Sequence, residues 1–423
     1  MAYQRVKGTY DVLPDMMLKF NELENLFRDF LQLYGYKEIK TPVFEFTNVF
    51  KKENDTSDLV TKEMYTFSVN DKDSLTLRPE GTPGVIRTFI ENKMYANNEL
   101  PVKLAYIEEM FRHERPAKGR QRQFTQMGIE CLGDKDPLID AEVIALGYFY
   151  IQAIGLKDIK VLINTLGDND SRIAYKQALI EYFRPHIDKL CTDCQNRLEK
   201  NPFRILDCKV DHELDIIQNA PKIELTKESF DYFEQVKHYL DILEIPYEID
   251  DKLVRGLDYY TDTVFEIVST NEVSGAQATI FGGGRYDNLV SEMGGPELSG
   301  IGFAIGLERL IILADAENIF EEYNPELDCY VINLDENLDY ALKVTDALRM
   351  NGFTCEMDYY KRSLKAQFKS SERKNARFIL IIGEDEIKTD TITLKDSLTK
   401  AQETVNKDEL IDRLDQLTED YYV

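Results

Sequence analysis

Two strand-like runs around one basic loop restrict this chain more than any other stretch. Residues 102–113 and 122–132 both read as strands. Successive strand side chains point to opposite faces. Tyr106, Glu108, Met110 and Arg112 therefore share a face, and Phe124, Gln126, Gly128 and Glu130 share one on the return strand. In the intervening loop Arg112, Arg115, Lys118, Arg120 and Arg122 stand against the single acid Glu114. If both faces line one pocket, they join an arginine, an aromatic platform, an amide and a carboxylate. That set suits an anion, a planar base and an N–H-bearing ligand. The competing reading is a hairpin whose charges are merely solvated.

The surrounding pattern mixes helices and strands. Residues 15–34 read as an amphipathic helix, 38–44 as extended chain, 64–69 and 74–78 as strands, and 82–95 as a long helix. A helix at 138–154 and a strand at 159–165 follow. From about 170 to 235 the texture turns helical and charged, as in an insertion. Strands return at 246–249, 259–269 and 277–282. Gly282-Gly283-Gly284 reads either as a tight turn or as a place where a ligand approaches the backbone. A small-residue strand at 299–305 runs into a helix at 306–317. After a linker at Asn324-Pro325-Glu326, strands and helices alternate as βαβαβ, the mark of a small α/β domain.

With 423 residues, the chain is long enough for two to four domains at about 100–200 residues each. Its net charge of −26 opposes a uniformly nucleic-acid-binding surface, which should be basic. Local patches decide binding, however, and an acidic remainder discourages non-specific contacts. No uninterrupted apolar run reaches the roughly 18–20 residues of a membrane span, and the first residues lack a signal core. A cytoplasmic setting without membrane contact is therefore expected, with the six cysteines reduced. There is no G-x-x-x-x-G-K-[ST] for a P-loop and no G-x-G-x-x-G between strand and helix for a dinucleotide.

Gly302-Phe303-Ala304-Ile305-Gly306-Leu307-Glu308-Arg309 carries a strand straight into a helix, with Arg309 in the first turn, where anions are favoured. Here a family resemblance emerges. Phe111 through Phe124 resembles the second motif of class II aminoacyl-tRNA synthetases, and Gly306–Arg309 the third. Thr41-Pro42-Val43-Phe44, with its preceding helix, resembles the first, which forms the dimer interface in that class. Leu253-Val254-Arg255-Gly256-Leu257-Asp258-Tyr259-Tyr260 and Phe281-Gly282-Gly283-Gly284-Arg285-Tyr286-Asp287 resemble the two histidine-specific motifs of bacterial-type histidyl-tRNA synthetases. Leu77-Arg78-Pro79-Glu80-Gly81-Thr82 is similar to that family as well, and the likeness spans nearly the whole chain.

The resemblance implies a class II α+β catalytic domain (1–325) built on an antiparallel sheet flanked by helices. A helical insertion (170–235) interrupts it, and a C-terminal α/β anticodon-binding domain (327–423) follows. It implies ATP-dependent activation of L-histidine to histidyl-adenylate and transfer to the 3′ end of tRNA(His), with Mg²⁺ on the ATP and a homodimeric state. Arg112 and Arg255 would be catalytic. Glu80, Gly81, Thr82, Gln126, Glu130, Tyr259 and Tyr260 would join them around histidine; Glu114, Arg120, Phe124 and Arg309 would join Arg112 around ATP. Arg115, Lys118 and Arg122 would meet the acceptor end of tRNA. Ala117 stands where relatives often have glutamine, which leaves that position's part open. Lys365 and Arg373, in a basic stretch from Lys361 to Arg377, read either as phosphate contacts or as a solvated helix face. Cys191, Cys194, Cys208 and His212 have zinc-like spacing; unliganded reduced thiols are the favoured reading. A related regulatory subunit of ATP phosphoribosyltransferase lacks the C-terminal domain and loses catalytic residues, whereas this chain keeps Arg112, Arg255 and Arg309.

Overall fold

A computed structural model describes residues 3–51, 59–69, 73–97, 99–117, 119–206, 208, 210–257, 259–271, 279–320, 327–336 and 338–419. The chain divides into two compact units, Met1–Phe320 and Glu321–Val423. The expected linker at 324–326 lies outside the described residues.

The strands of the first unit are β1 (Lys37–Glu38), β2 (Phe44–Phe46), β3 (Thr66–Ser68), β4 (Ser74–Leu77), β5 (Val102–Phe111) and β6 (Gln123–Gly133). They continue as β7 (Ile159–Thr165), β8 (Glu248–Ile249), β9 (Thr261–Ser269), β10 (Thr279–Tyr286) and β11 (Ser299–Gly306). Eight of them form one sheet in the order β1-β5-β6-β11-β10-β9-β7-β8. Its six central strands are antiparallel, and only the short edge strands β1 and β8 pair in parallel.

Strand alternation gives this sheet two different faces. Ala105, Met127, Ile129 and Cys131 point into a core that includes the helices Pro14–Leu33, Pro137–Ile154, Lys227–Ile242 and Leu307–Ala316. Leu104, Tyr106, Met110 and Leu132 point the other way, toward Val85, Ile86 and Phe89 of the helix Thr82–Glu91. The helix expected over 82–95 breaks in two: Thr82–Glu91 ends before Lys93, whose φ of 50° leaves the helical region, and Met94–Asn97 follows.

Pro137–Ile154 is, by length and composition, apolar enough to cross a membrane, so the expectation that no stretch would qualify needs correcting. It is instead a core helix. Asp136 caps it by accepting from the Leu138 N–H at 2.8 Å, and Gly155 ends it at φ 96°. Its Asp140, fully buried, accepts from Arg285 Nε of β10 at 2.8 Å. An uncompensated charge would be costly at this depth, and the pair is the compensation.

A separate apolar cluster, including Tyr175, Leu179, Phe183, Leu198, Ile205 and Ile217, organises the short helices between β7 and residue 223. Lys227–Ile242 belongs to the main core, placing Phe233, Val236 and Leu240 there. The small sheet β2-β4-β3 leaves Val43, Phe44, Phe46, Phe67 and Val69 exposed.

The second unit holds β12 (Leu327–Asn333), β13 (Cys355–Met357), β14 (Ala376–Ile382), β15 (Thr391–Asp396) and β16 (Gln402–Asn406), in the order β13-β12-β14-β15-β16. The first three are parallel, as the βαβαβ pattern requires, and the last two add an antiparallel ribbon.

Candidate active site

A cavity of about 350 Å³ opens on the second face of the large sheet. Among its walls are Glu80, Gly81, Thr82, Arg112, Glu114 and Arg120, and likewise Phe124, Gln126, Glu130, Arg255, Tyr259, Tyr260 and Arg309. The β5–β6 hairpin therefore lines a pocket, and the solvated alternative is set aside.

One end is a carboxylate pocket. Glu130, only 1 % exposed, accepts from Thr82 Oγ1 at 2.6 Å and from the Tyr286 hydroxyl. Burial pushes its carboxyl up to about 8, against the pull of those two donors. Glu80 accepts from the Tyr259 hydroxyl at 2.9 Å. Burial also lifts the Tyr260 hydroxyl to about 12, despite the neighbouring Arg255 guanidinium. Gln126 Oε1 is buried with no hydrogen-bond partner among the described residues, an acceptor held ready for a ligand. Small residues make the pocket possible: a Cβ on Gly302 would lie 2.2 Å from Glu130 Oε2, and one on Gly81 2.2 Å from the Tyr106 ring.

The other end gathers guanidinium groups. Arg112 donates through Nε to Pro79 O at 2.7 Å, and its Cζ lies 5.2 Å from the centre of the Phe124 ring. Arg120 Nε meets Glu114 Oε2 at 2.7 Å. Arg309, on the first turn of Leu307–Ala316, donates to Thr279 O at 2.6 Å. Burial and the repulsion of Arg120 and Arg112 press its guanidinium below its usual range, with Glu114 opposing. Such crowding of like charge favours a polyanion. Arg255 pairs with Glu266 and lies against Gly282.

Gly282–Gly284 depart from the tight-turn reading, while Gly282 lines the cavity, in keeping with the close-approach reading. They lie within β10, not in a turn, and none has positive φ. Their smallness serves close approach: a Cβ on Gly283 would lie 2.0 Å from Gly302 O, and one on Gly282 2.5 Å from Arg255 Nη1.

Further wall residues carry roles that no sequence signal marks. Tyr286, within the Phe281–Asp287 stretch, donates to Glu130. Glu308 accepts from Tyr10 Oη at 2.8 Å and Thr125 N at 2.7 Å, tying the third motif to β6. Arg204, from the helix Phe203–Leu206 of the insertion, donates to Gly256 O at 3.0 Å and lines the cavity. No local signal marks it, because its segment read as a separate body.

The other candidates lie apart from the cavity or outside the described residues. Arg115 is exposed beyond the cavity wall. Arg122 donates to Glu114 O at 3.1 Å and Lys7 O at 3.3 Å, pinning the N-terminal segment. Lys118 lies outside the described residues. Lys365 and Arg373 are exposed on Leu364–Arg373 of the second unit. Nearby Arg362, Lys374 and Arg377 pair with Asp358, Glu356 and Asp396. Cys191, Cys194 and Cys208 converge, but the expected His212 does not join them: its side chain is 57 % exposed beside Glu213, and Asp211 takes the inner position. Adjacent residues in this turn face opposite ways, which spacing alone does not reveal.

An antiparallel sheet with a cavity on one face where Arg112 and Arg309 gather, accompanied by a separate α/β unit, defines a class II aminoacyl-tRNA synthetase. The family profile for histidyl-tRNA synthetase matches residues 8–310, and that for an anticodon binding domain matches 328–417. The chain belongs to the histidyl-tRNA synthetase family. A histidine–tRNA ligase of Listeria monocytogenes is 49 % identical over 98 % of this chain and 98 % of its own length. One of Bacillus cytotoxicus is 50 % identical over 96 % and 97 %. The crystal structure of apo S. aureus histidyl-tRNA synthetase shares the fold with a TM-score of 0.83 at 40 % identity, covering 97 % of this chain and 99 % of that one. The chain is thus a ligase that charges tRNA(His) with histidine.

Proposed function

We propose that both halves of this reaction run in the one cavity: activation of L-histidine by ATP to histidyl-adenylate with release of diphosphate, then transfer to the tRNA 3′ end with release of AMP. The histidine carboxylate is already ionised at neutral pH, so its attack on the α-phosphate needs no general base. Catalysis rests on positioning and on neutralising charge. Arg112 holds the α-phosphate and the substrate carboxylate together, and Arg255 meets the reacting phosphate. Arg120 and Arg309 hold the outer phosphates; Glu114 and Phe124 hold the adenine. Glu80, Thr82 and Gln126, with Gly81 and Tyr259 beside them, receive the α-ammonium. Glu130 and Tyr260 read the two imidazole nitrogens, one donor and one acceptor when neutral, and a side chain lacking either group leaves a buried partner unpaired.

The carrying observation is the crowding of Arg112, Arg120 and Arg309 at one end of a cavity whose other end buries Glu130. Mg²⁺ would accompany the ATP and be held largely through its phosphates, with Glu308 in the same walls an oxygen donor of the type it takes, and it would supply neutralisation of phosphate charge.

Residues 1–325 form the catalytic domain and 327–423 the anticodon-binding domain; the insertion, expected over 170–235, ends before Lys227, because the helix Lys227–Ile242 packs into the main core. Arg115, Lys118 and Arg122 face the acceptor end, and Lys365 and Arg373 the anticodon arm. The exposed apolar residues of β2 and β3 support a homodimer, since a patch of this kind calls for a cover. The setting is the cytoplasm. Histidine-dependent exchange of pyrophosphate into ATP tests the scheme: Arg255→Ala should lose nearly all exchange while melting like the parent. Near-normal exchange would remove Arg255 from the mechanism.

A further inference from the structure

One cluster in the insertion takes no part in the steps above. Cys191, Cys194, Cys208 and Asp211 offer three sulfurs and a carboxylate oxygen, all within 4.8 Å of one another, the only such group among the described residues. Cys194, Cys208 and Asp211 are buried, and Cys191 is half-buried. The Cys191 and Cys208 sulfurs are 3.7 Å apart. A disulfide needs about 2.05 Å. Four ligands at about 2.3 Å around a tetrahedral zinc ion place their sulfurs about 3.8 Å apart. The backbone already orients the carboxylate: Asp211 Oδ2 accepts from the Cys191 N–H at 2.9 Å. The turn carrying it is closed by His212 N–H donating to Cys208 O at 2.9 Å. Cys191 and Cys194 flank the start of the helix Thr192–Arg197, the usual C-x-x-C half of such a site.

We propose that these four side chains bind one zinc ion as a structural Cys₃Asp site. Sulfur donors select zinc over magnesium or calcium, which take oxygen. Binding expels the three thiol protons to solvent and leaves three thiolates and one carboxylate around the ion, with no change of oxidation state. The ion ties residues 194–208 into a closed loop. Arg204 stands on that loop and reaches the cavity wall at Gly256. The site thus fastens the segment that carries Arg204 to the cavity wall.

The full chain, purified reduced and dialysed against trace zinc, should retain about one zinc per chain by atomic emission. His212→Ala should keep it, and Cys194→Ser and Asp211→Ala should lose it. Cobalt(II) should give the intense visible bands of a tetrahedral thiolate complex in the parent and in His212→Ala only. Chelation of the unaltered chain, which avoids any folding defect of a variant, should lower its melting temperature, with zinc restoring it. A reduced parent chain that binds no zinc overturns the assignment. So does a Cys191–Cys208 disulfide in freshly purified protein, or loss of zinc from His212→Ala.

Discussion

Replacing Gly282 by alanine tests the placement of Arg255 without touching Arg255. The new Cβ would lie 2.5, 2.6 and 2.7 Å from Nη1, Cζ and Nη2. Three near-equal distances mean that the guanidinium lies flat on the glycine. Carbon contacts relax only near 3.5 Å, so the group must retreat by about 1 Å. A displacement of that size in a positioned catalytic group costs about a hundredfold in rate. The obstacle is the far end of a flexible side chain, so the fold should survive and melting should stay within about 2 °C of the parent. Gly283→Ala is the contrast: its Cβ would meet Gly302 O at 2.0 Å, a backbone atom of the neighbouring strand, and should destabilise the sheet. The assay is pyrophosphate exchange under saturating histidine and ATP, beside thermal melting. In an Arg255→Ala background Gly282→Ala should add almost nothing, because the group it displaces is already gone. Parental exchange in the single variant, or a full further loss in the double, would refute the reasoning.

Glu130→Ala should raise the KM for histidine by about 10- to 100-fold, the worth of a charge-assisted hydrogen bond, with ATP affected far less; equal effects would place Glu130 elsewhere. In the unliganded chain, the carboxyl raised from 4.5 to about 8 holds its proton more tightly folded than unfolded. Stability should therefore fall as pH rises from about 5 through 8, and Glu130→Gln should flatten that slope in urea titrations; an unchanged slope would mean Glu130 ionises freely. Arg285→Met should cost about 3–5 kcal/mol by stranding Asp140, read as a lower urea midpoint, and a parental midpoint would make the pair incidental. Charge reversal at Lys365 and Arg373 should impair tRNA charging and lower its salt dependence by about one unit of log–log slope per lost contact. Exchange should be untouched; unaltered charging would leave the two as solvated surface.

Much of the fold was legible because strand alternation and helix periodicity are local. Period 2 placed Phe124, Gln126 and Glu130 on one face of the return strand and Arg112 with Tyr106, Glu108 and Met110 on the other strand, and the β5–β6 pairing is what brings the two faces together. Three stretches escaped for physical reasons. Glycines punctuate turns but also permit close strand packing, so Gly282–Gly284 did not reveal that they lie inside β10. Lys93 ends a helix through a backbone angle its side chain does not advertise. Arg204 gains its place at the cavity only through tertiary packing, which no spacing encodes.

The β5–β6 hairpin also ties chemistry to solubility. Its even-numbered residues build the cavity while its odd-numbered neighbours Met127 and Ile129 fill the core. Slipping the pairing by a single residue would drive Arg112 and Glu130 into oil and push methyl groups at the substrate. A hairpin slipped by one residue therefore forfeits its core together with its active site and cannot persist as a folded but inactive enzyme.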